Sequence, residues 1–185
     1  MNPADLSDEQ LTRQAQQGDV KAFEQLVIRY QQPLFAFIYR MVNNQADAED
    51  LCQQAFIRAW EKIASFQQKS SFKTWLFRIG INLALNYRRR TRHTEPLDEH
   101  LPANPDTEPE SVFQRRNRKQ LVRQALMQLA PDQRTALVLA VYENFSYQEI
   151  AGIMGKSVRA VDSLLVRART RLRTLLEPAR KKGLL

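Results

Sequence analysis

The chain has 185 residues, 43% of them hydrophobic and 26% charged, which suits a folded protein of one medium domain or two small ones. A net charge of +8 favours a polyanionic partner, and nucleic acid comes before a membrane surface. A single cysteine excludes an intramolecular disulfide, two widely spaced histidines offer no metal site, and no apolar run approaches the roughly 20 residues of a membrane span.

Residues 1–93 predict four amphipathic helices. The first runs from about residue 8 to 17 and stops at Gly18. Asp19 is the expected N-cap of the second helix, and Pro33 should kink or divide it. The inward positions of this second helix recur at i, i+3 and i+4. They are Phe23, Leu26, Val27, Tyr30, Leu34, Phe37, Ile38 and Met41.

The third helix, capped by Asn44, has a polar face that begins with acids. Asp47 and Asp50 lie near its positive end, and Gln54 and Arg58 continue its exposed side. Carboxylates on a basic protein do not favour DNA, so this face suits a protein partner. Ordinary solvation together with complementarity to the helix dipole remains the alternative.

Aromatic and basic side chains alternate through the loop before the fourth helix and along that helix, which begins near Ser71. They are Phe66, Lys69, Phe72, Lys73, Trp75, Phe77, Arg78, Tyr87, Arg88, Arg89 and Arg90. Rings that stack on bases beside cations that follow a backbone are typical of single-stranded DNA binding. The alternative is that these rings belong to the hydrophobic core.

Residues 94–112 predict a linker between two domains. The segment holds six acids, no lysine or arginine, and four of the eight prolines. It separates residues 1–93, with a net charge of +4, from residues 113–185, with a net charge of +10. Acidic, proline-rich sequence with little to bury is typical of linkers, although an ordered surface loop within one domain is the alternative.

Residues 113–185 predict four more helices, the last two forming a helix-turn-helix. Ser146 and Glu149 make a capping box, Gly155 suits the left-handed end of the short helix, and Ser157 caps the final helix. On that helix we expect Val158, Val161, Leu165, Ala168 and Leu172 to pack inward.

The opposite side of the final helix could lie in a DNA major groove. It carries Arg159, Ser163 and Arg167, while Lys156 and Ser157 sit at the helix start, where phosphate contacts are common. A solvated basic face on a structural helix is the alternative.

Several segments resemble one family, the extracytoplasmic-function (ECF, group IV) RNA polymerase sigma factors. DAEDLCQQAFIRAW at residues 47–60 and FKTWLFRIGINLALNYRRR at 72–90 are similar to sigma region 2. LAPDQR at 129–134, FSYQEIAGIMG at 145–155 and VRAR at 166–169 resemble region 4. The resemblance covers nearly the whole chain except the linker and both tips.

The resemblance implies an all-α fold of two small helical domains and a role for each polar face. The third-helix face would bind the coiled coil of the largest polymerase subunit through Asp47, Asp50, Gln54 and Arg58. The loop 65–71 with Asn82 would hold a flipped base of the −10 element. Further −10 contacts and melting would involve Lys69, Lys73, Trp75, Arg88, Arg89 and Arg90. Reading of the −35 element would fall to Lys156, Ser157, Arg159, Ser163 and Arg167.

The same resemblance implies partners and a location. The partners would be core RNA polymerase, through its coiled coil and its flap, promoter DNA and an anti-sigma factor. The protein would be cytoplasmic, would not be an enzyme and would need no cofactor or metal. The linker would run along the RNA-exit path. Many relatives carry Thr-Val-Lys-Ser-Arg where this chain has Ala-Val-Asp-Ser-Leu at 160–164, so a −35 sequence cannot be transferred. A helix-turn-helix regulator without sigma activity is the alternative function.

Overall fold

The structure, a computed structural model, describes residues 6–91 and 110–184. Within these residues the chain forms eight α-helices and no strand. The all-α prediction is therefore confirmed. The helices are α1 (Asp8–Gln16), α2 (Val20–Val42), α3 (Gln45–Ile63), α4 (Phe72–Thr91), α5 (Glu110–Met127), α6 (Pro131–Val141), α7 (Tyr147–Met154) and α8 (Val158–Lys181). We call residues 6–91 the N-terminal unit and residues 110–184 the C-terminal unit.

Side-chain caps set most of the helix starts. The hydroxyl of Ser146 accepts from the Glu149 amide while the Glu149 carboxylate accepts from the Ser146 amide, which completes the predicted capping box. Asp19 and Asn44 accept the first amides of α2 and α3. Gly155 ends α7 with φ of 63°, a left-handed conformation that costs glycine little.

Pro33 does not divide the second helix, so that part of the prediction is wrong. α2 runs unbroken through Pro33 from Val20 to Val42. A proline inside a helix removes one hydrogen bond and costs about 3 kcal/mol. Leu34, Phe37 and Ile38 follow it directly and are fully buried, and burial of such side chains contributes roughly 1.5–3 kcal/mol each.

The N-terminal unit is built around α2, which packs against α1, α3 and α4. The α2–α4 crossing is close because Gly80 of α4 faces Leu34 and Ile38. The C-terminal unit packs α5, α6 and α7 against α8 through Val161, Leu165 and Ala168, which are fully buried as predicted. Val158 is 44% exposed, contrary to prediction, because it lies in the first turn of α8, ahead of that packed stretch.

The two units share one hydrophobic core instead of standing apart. Phe77 of α4 and Phe145 of the α6–α7 turn meet edge to face, with ring centroids 5.1 Å apart. α4 also packs on α7, and α2 packs on α6 and α5. The predicted linker falls outside the described residues, except that α5 begins within it at Glu110.

Candidate nucleic-acid and protein interfaces

The outward face of α3 gathers the four side chains predicted to bind a protein. Asp50, Gln54 and Arg58 are exposed and recur at intervals of four residues, so they form one row along the helix. Asp47 begins the row and is half-buried, because the Tyr87 hydroxyl of α4 donates to its carboxylate at 2.6 Å. The structure thus places the four predicted residues along α3, and a hydrogen bond from Tyr87 of α4 fixes the first of them, Asp47.

Two exposed apolar side chains of α3 were not predicted from the sequence. Ile57 is 51% exposed and Trp60 is 37% exposed, both on α3. Ile57 follows Gln54 by three residues and therefore neighbours the row. Exposed apolar side chains between polar ones are common at protein interfaces. The sequence pattern does not distinguish them from the buried apolar residues of α3, so only the exposure of each side chain in the structure identifies them.

A cavity of about 210 Å³ lies where loop 65–71 crosses α1. It is lined by Glu9, Thr12, Phe66, Gln68, Ser70, Ser71 and Phe72. Gln16 holds the loop in place, since its amide donates to the Ile63 and Phe66 carbonyls at 3.1 and 2.6 Å and accepts from Gln68. The contribution of α1 was missed because nothing in its sequence marks contact with a loop some 50 residues away.

Trp75 is neither a free ring nor a fully buried one. It is half-buried and stacks on Phe66, with centroids 4.5 Å apart and 18° between the planes. Lys69 is exposed beside it in the loop. Asn82 is exposed on α4 but is not among the residues lining the cavity. The structure therefore brings Trp75 and the loop together and leaves Asn82 outside that cavity.

The cations of α4 that were predicted to contact the −10 strand lie at its two ends. Arg89 and Arg90 are exposed at the C-terminal end, and Arg88 is half-buried beside them. Lys73, near the N-terminal end, donates to the backbone carbonyl of Glu143 at 2.9 Å and lies 4.4 Å from the centre of the Phe145 ring. Lys73 is thus occupied by the C-terminal unit.

The last helix presents its basic residues to solvent. Arg159 and Arg167 are exposed, and the Ser163 hydroxyl between them donates to the Arg159 carbonyl at 3.0 Å. Ser157 caps the helix by accepting from the Ala160 amide, and Lys156 pairs with Asp132 of α6 at 3.0 Å. A fixed N-terminus with two exposed arginines on one face fits a major groove. Asp162 is exposed, whereas Leu164 is half-buried against the core.

Comparison with known families separates the chain into two matched parts. Residues 26–94 match sigma-70 region 2, and residues 119–172 match sigma-70 region 4. The RNA polymerase sigma-H factor of Pseudomonas aeruginosa is 37% identical over an alignment that covers 92% of this chain and 94% of that protein. The ECF RNA polymerase sigma-E factor of Escherichia coli K12 is 34% identical, with 94% and 96% covered.

This chain belongs to the ECF sigma factors. It directs RNA polymerase to promoters for transcription initiation, and the α7–α8 pair is the helix-turn-helix of its region 4. The alternative of a regulator without sigma activity is set aside, because such a regulator would not carry region 2.

Two solved structures resemble the fold of both units together. CnrH in complex with the cytosolic domain of CnrY has a TM-score of 0.72 at 28% identity and covers 92% of this sigma factor and 97% of that chain. RpoE of Bartonella quintana in complex with the anti-sigma factor NepR has a TM-score of 0.69 at 30% identity, with 85% of this chain and 98% of that chain covered.

None of the helices in residues 6–91 and 110–184 is long and apolar enough to cross a membrane.

Proposed function

We propose that the α3 row binds core RNA polymerase. One outward face of α3 carries Asp47, Asp50, Gln54 and Arg58. The face begins with two acids although the chain has a net charge of +8, and these acids disfavour DNA binding there. Polar groups ringing the exposed Ile57 resemble a rim around a small apolar centre. The partner surface is the coiled coil of the largest polymerase subunit, and region 4 contacts the flap.

The 65–71 loop and α4 open and hold the −10 element. Extruding a base from a duplex costs a few kcal/mol, and a formed cavity that receives the base offsets this cost. The cavity against α1 is the receiving site, with Lys69 and Lys73 beside the strand and Trp75 packed on the loop ring Phe66. Arg88, Arg89 and Arg90 hold backbone phosphates, and Asn82 contacts the strand outside the cavity.

Region 4 reads the −35 element with α8 in the major groove. Arg159 and Arg167 can each pair with a guanine edge, and Ser163 lies between them. Lys156 and Ser157 contact phosphates at the helix start. Asp162 and Leu164 alter the groove face, so the promoter sequence is this protein's own.

The chain divides into a region 2 domain at 1–93, an acidic linker at 94–112 and a region 4 domain at 113–185. The negative linker follows the RNA-exit path of the polymerase, where its charge mimics RNA. We assign the protein to group IV and to the cytoplasm, in a stress or envelope response. An anti-sigma factor holds it inactive, as expected from the similar RpoE of Bartonella quintana, whose structure was solved in complex with the anti-sigma factor NepR.

The polymerase-binding role can be tested with two paired substitutions on α3. Asp50→Ala with Gln54→Ala should weaken binding to purified core polymerase by about tenfold, or 1.4 kcal/mol, and should reduce run-off transcription from every promoter alike. Glu24→Ala with Gln32→Ala is the control, because it removes one acid and one amide from exposed positions on α2, away from the row. Equal losses in both pairs, or a loss confined to some promoters, would contradict the assignment.

Arg159→Ala tests the −35 role separately. Discrimination between promoters that differ at one −35 position should fall by about 1–3 kcal/mol, the contribution of a bidentate contact to guanine. Arg171→Ala removes an exposed charge of the same helix more than three turns beyond Arg159, and it should weaken binding uniformly. The measurement is run-off transcription on a set of −35 variants, and an unchanged preference would remove Arg159 from the readout.

A further inference from the structure

The side-chain amide of Gln16 ties α1 to the end of α3 and to the loop that follows it. Its nitrogen donates to the Ile63 carbonyl at 3.1 Å and to the Phe66 carbonyl at 2.6 Å. Its oxygen accepts from the Gln68 side-chain amide at 2.8 Å. Because a primary amide has two N–H donors and one carbonyl acceptor, both donors and the acceptor of Gln16 are used on this one stretch of chain.

Gln68 has a backbone conformation that needs support from its surroundings. Its φ is 51°, in the left-handed region, although it is not a glycine. A residue with a Cβ atom is strained there, and such a conformation persists only where neighbouring contacts hold it. The bond from Gln68 to Gln16 is such a contact. The loop is therefore held in its shape partly by α1.

Phe66 connects the anchored backbone of the loop to the cavity. Gln16 holds the Phe66 carbonyl, the Phe66 ring stacks on Trp75, and Phe66 also lines the cavity of about 210 Å³. Glu9 and Thr12 of α1 line the same cavity. A shift of the loop relative to α1 would therefore change both the shape of the cavity and the position of an aromatic side chain in it.

The helix that carries Gln16 is itself fixed to the rest of the N-terminal unit. Leu11 and Ala15 of α1 are buried, and α1 packs along α2. At the other end of α1, the Asp8 carboxylate accepts from the Arg29 guanidinium of α2 at 2.7 Å. α1 is thus a firm support for the loop.

We propose that Gln16 is a positioning residue for −10 recognition, which holds loop 65–71 in the shape that receives the flipped base before DNA arrives. This inference rests on the proposed function of the cavity. A loop already fixed in its bound shape loses less conformational freedom on binding, so the extruded base binds more tightly. Gln16 lies outside residues 26–94, which match sigma-70 region 2, so α1 adds a working part to that region.

Gln16→Met is the variant that tests this proposal. Methionine keeps the length and the apolar stem of the half-buried glutamine but removes both N–H donors and the oxygen. Gln14→Met is the matched control, because Gln14 is also half-buried on α1 but lies about 200° around the helix from Gln16.

Hydrogen–deuterium exchange of the free full chain is the first measurement. The backbone amides of loop 65–71 should exchange at least about fivefold faster in Gln16→Met, whereas those of α2 should keep their wild-type rates. The control should match wild type throughout. Gln68→Ala removes one of the three bonds from an exposed position, so it should accelerate the same amides less, and it decides the matter if Gln16→Met does not fold. Unchanged loop exchange in every folded variant would overturn the proposal.

Affinity of the reconstituted holoenzyme for single-stranded −10 DNA is the second measurement. Each base of the element is replaced in turn by an abasic site. Wild type and the Gln14 control should lose about tenfold in affinity at the flipped position, as expected for one stacked base, and Gln16→Met should lose about threefold or less. Binding of a duplex −35 fragment should be the same for all three proteins.

The two ways in which this experiment can fail are distinct. If Gln16→Met loses as much affinity at the abasic site as wild type does, Gln16 does not position the loop, and the proposed function stands. If wild type loses no affinity at any abasic position, the cavity does not receive a base, and the proposed function and this inference fail together.

Discussion

At the scale of single residues, two buried charged side chains lie in the contact between the units. Arg134 is satisfied by carbonyls at helix ends, so its burial leaves its donors bonded. Glu143 is different, because burial raises the pKa of its carboxyl group, and the charges of Arg40 and Lys73 only partly oppose that rise. A charged carboxylate at this position is therefore less favourable in the folded protein than a neutral group.

Glu143→Gln should make the protein more stable near neutral pH. A carboxyl whose folded pKa is raised carries no penalty below its unfolded pKa, and the penalty develops as pH rises through the folded value. The difference in urea unfolding free energy between variant and wild type should thus grow from near zero at pH 4 to favour Gln at pH 7. The groups that face Glu143 are Arg40 of α2 and Lys73 of α4. A difference that shrinks with rising pH would contradict this sign.

At the scale of single elements, α4 serves both the core and the surface. Leu76 and Phe77 are fully buried, while Arg89 and Arg90 extend from the other end of the helix into solvent. Gly80 lies at the crossing with α2, where an added Cβ would be 2.8 Å from the Leu34 Cδ1 atom. Leu34 is fully buried and has little room to turn away.

Gly80→Ala should therefore destabilise the N-terminal unit, although alanine favours helices. Overpacking costs about 1–3 kcal/mol, against a gain in helix propensity of about 1 kcal/mol. Gly152→Ala in α7 is the matched control, because no atom lies within 4 Å of the added Cβ, and it should be neutral or slightly stabilising. Thermal unfolding followed by circular dichroism measures both, and a Gly80 variant as stable as the Gly152 variant would refute the close crossing.

At the scale of the whole molecule, the shared core makes the two units one cooperative body. The interdomain seam, as we call the contact between the N-terminal and C-terminal units, joins α2 and α4 to α5, α6 and the α6–α7 turn by hydrogen bonds, ring contacts and apolar packing. Units that share buried surface unfold together when the coupling is comparable to the difference in their own stabilities. Opening the seam removes that coupling and leaves each unit with its own core.

Calorimetry should show this coupling directly. The wild-type chain should unfold in one transition. The Arg40→Ala, Arg123→Ala variant loses the contacts of these two arginines with Glu143 and Asn43 across the seam. It should unfold in two transitions, because each unit then melts at its own temperature. The Arg13→Ala, Arg180→Ala control removes the same charge from exposed positions outside the seam and should keep one transition. Two transitions already present in the wild type would show that the seam does not couple the units.

The amino-acid sequence by itself determined the local structure of this protein. Helix starts at Asp19, Asn44, Ser146 and Ser157 were predictable because a cap acts on amides two or three residues away. The row on α3 and the basic face of α8 were predictable for the same reason, since helical periodicity places residues four apart on one side.

Only the tertiary structure decided what these helices do to one another. It placed Gln16 of α1 against the loop before α4, exposed Ile57, and turned Lys73 toward Glu143 instead of solvent. It also buried Arg134 across two helix ends. The contacts of Gln16, Lys73 and Arg134 join residues some 50 to 90 positions apart. No local pattern encodes such a contact, because its energy arises only when packing brings the two segments together.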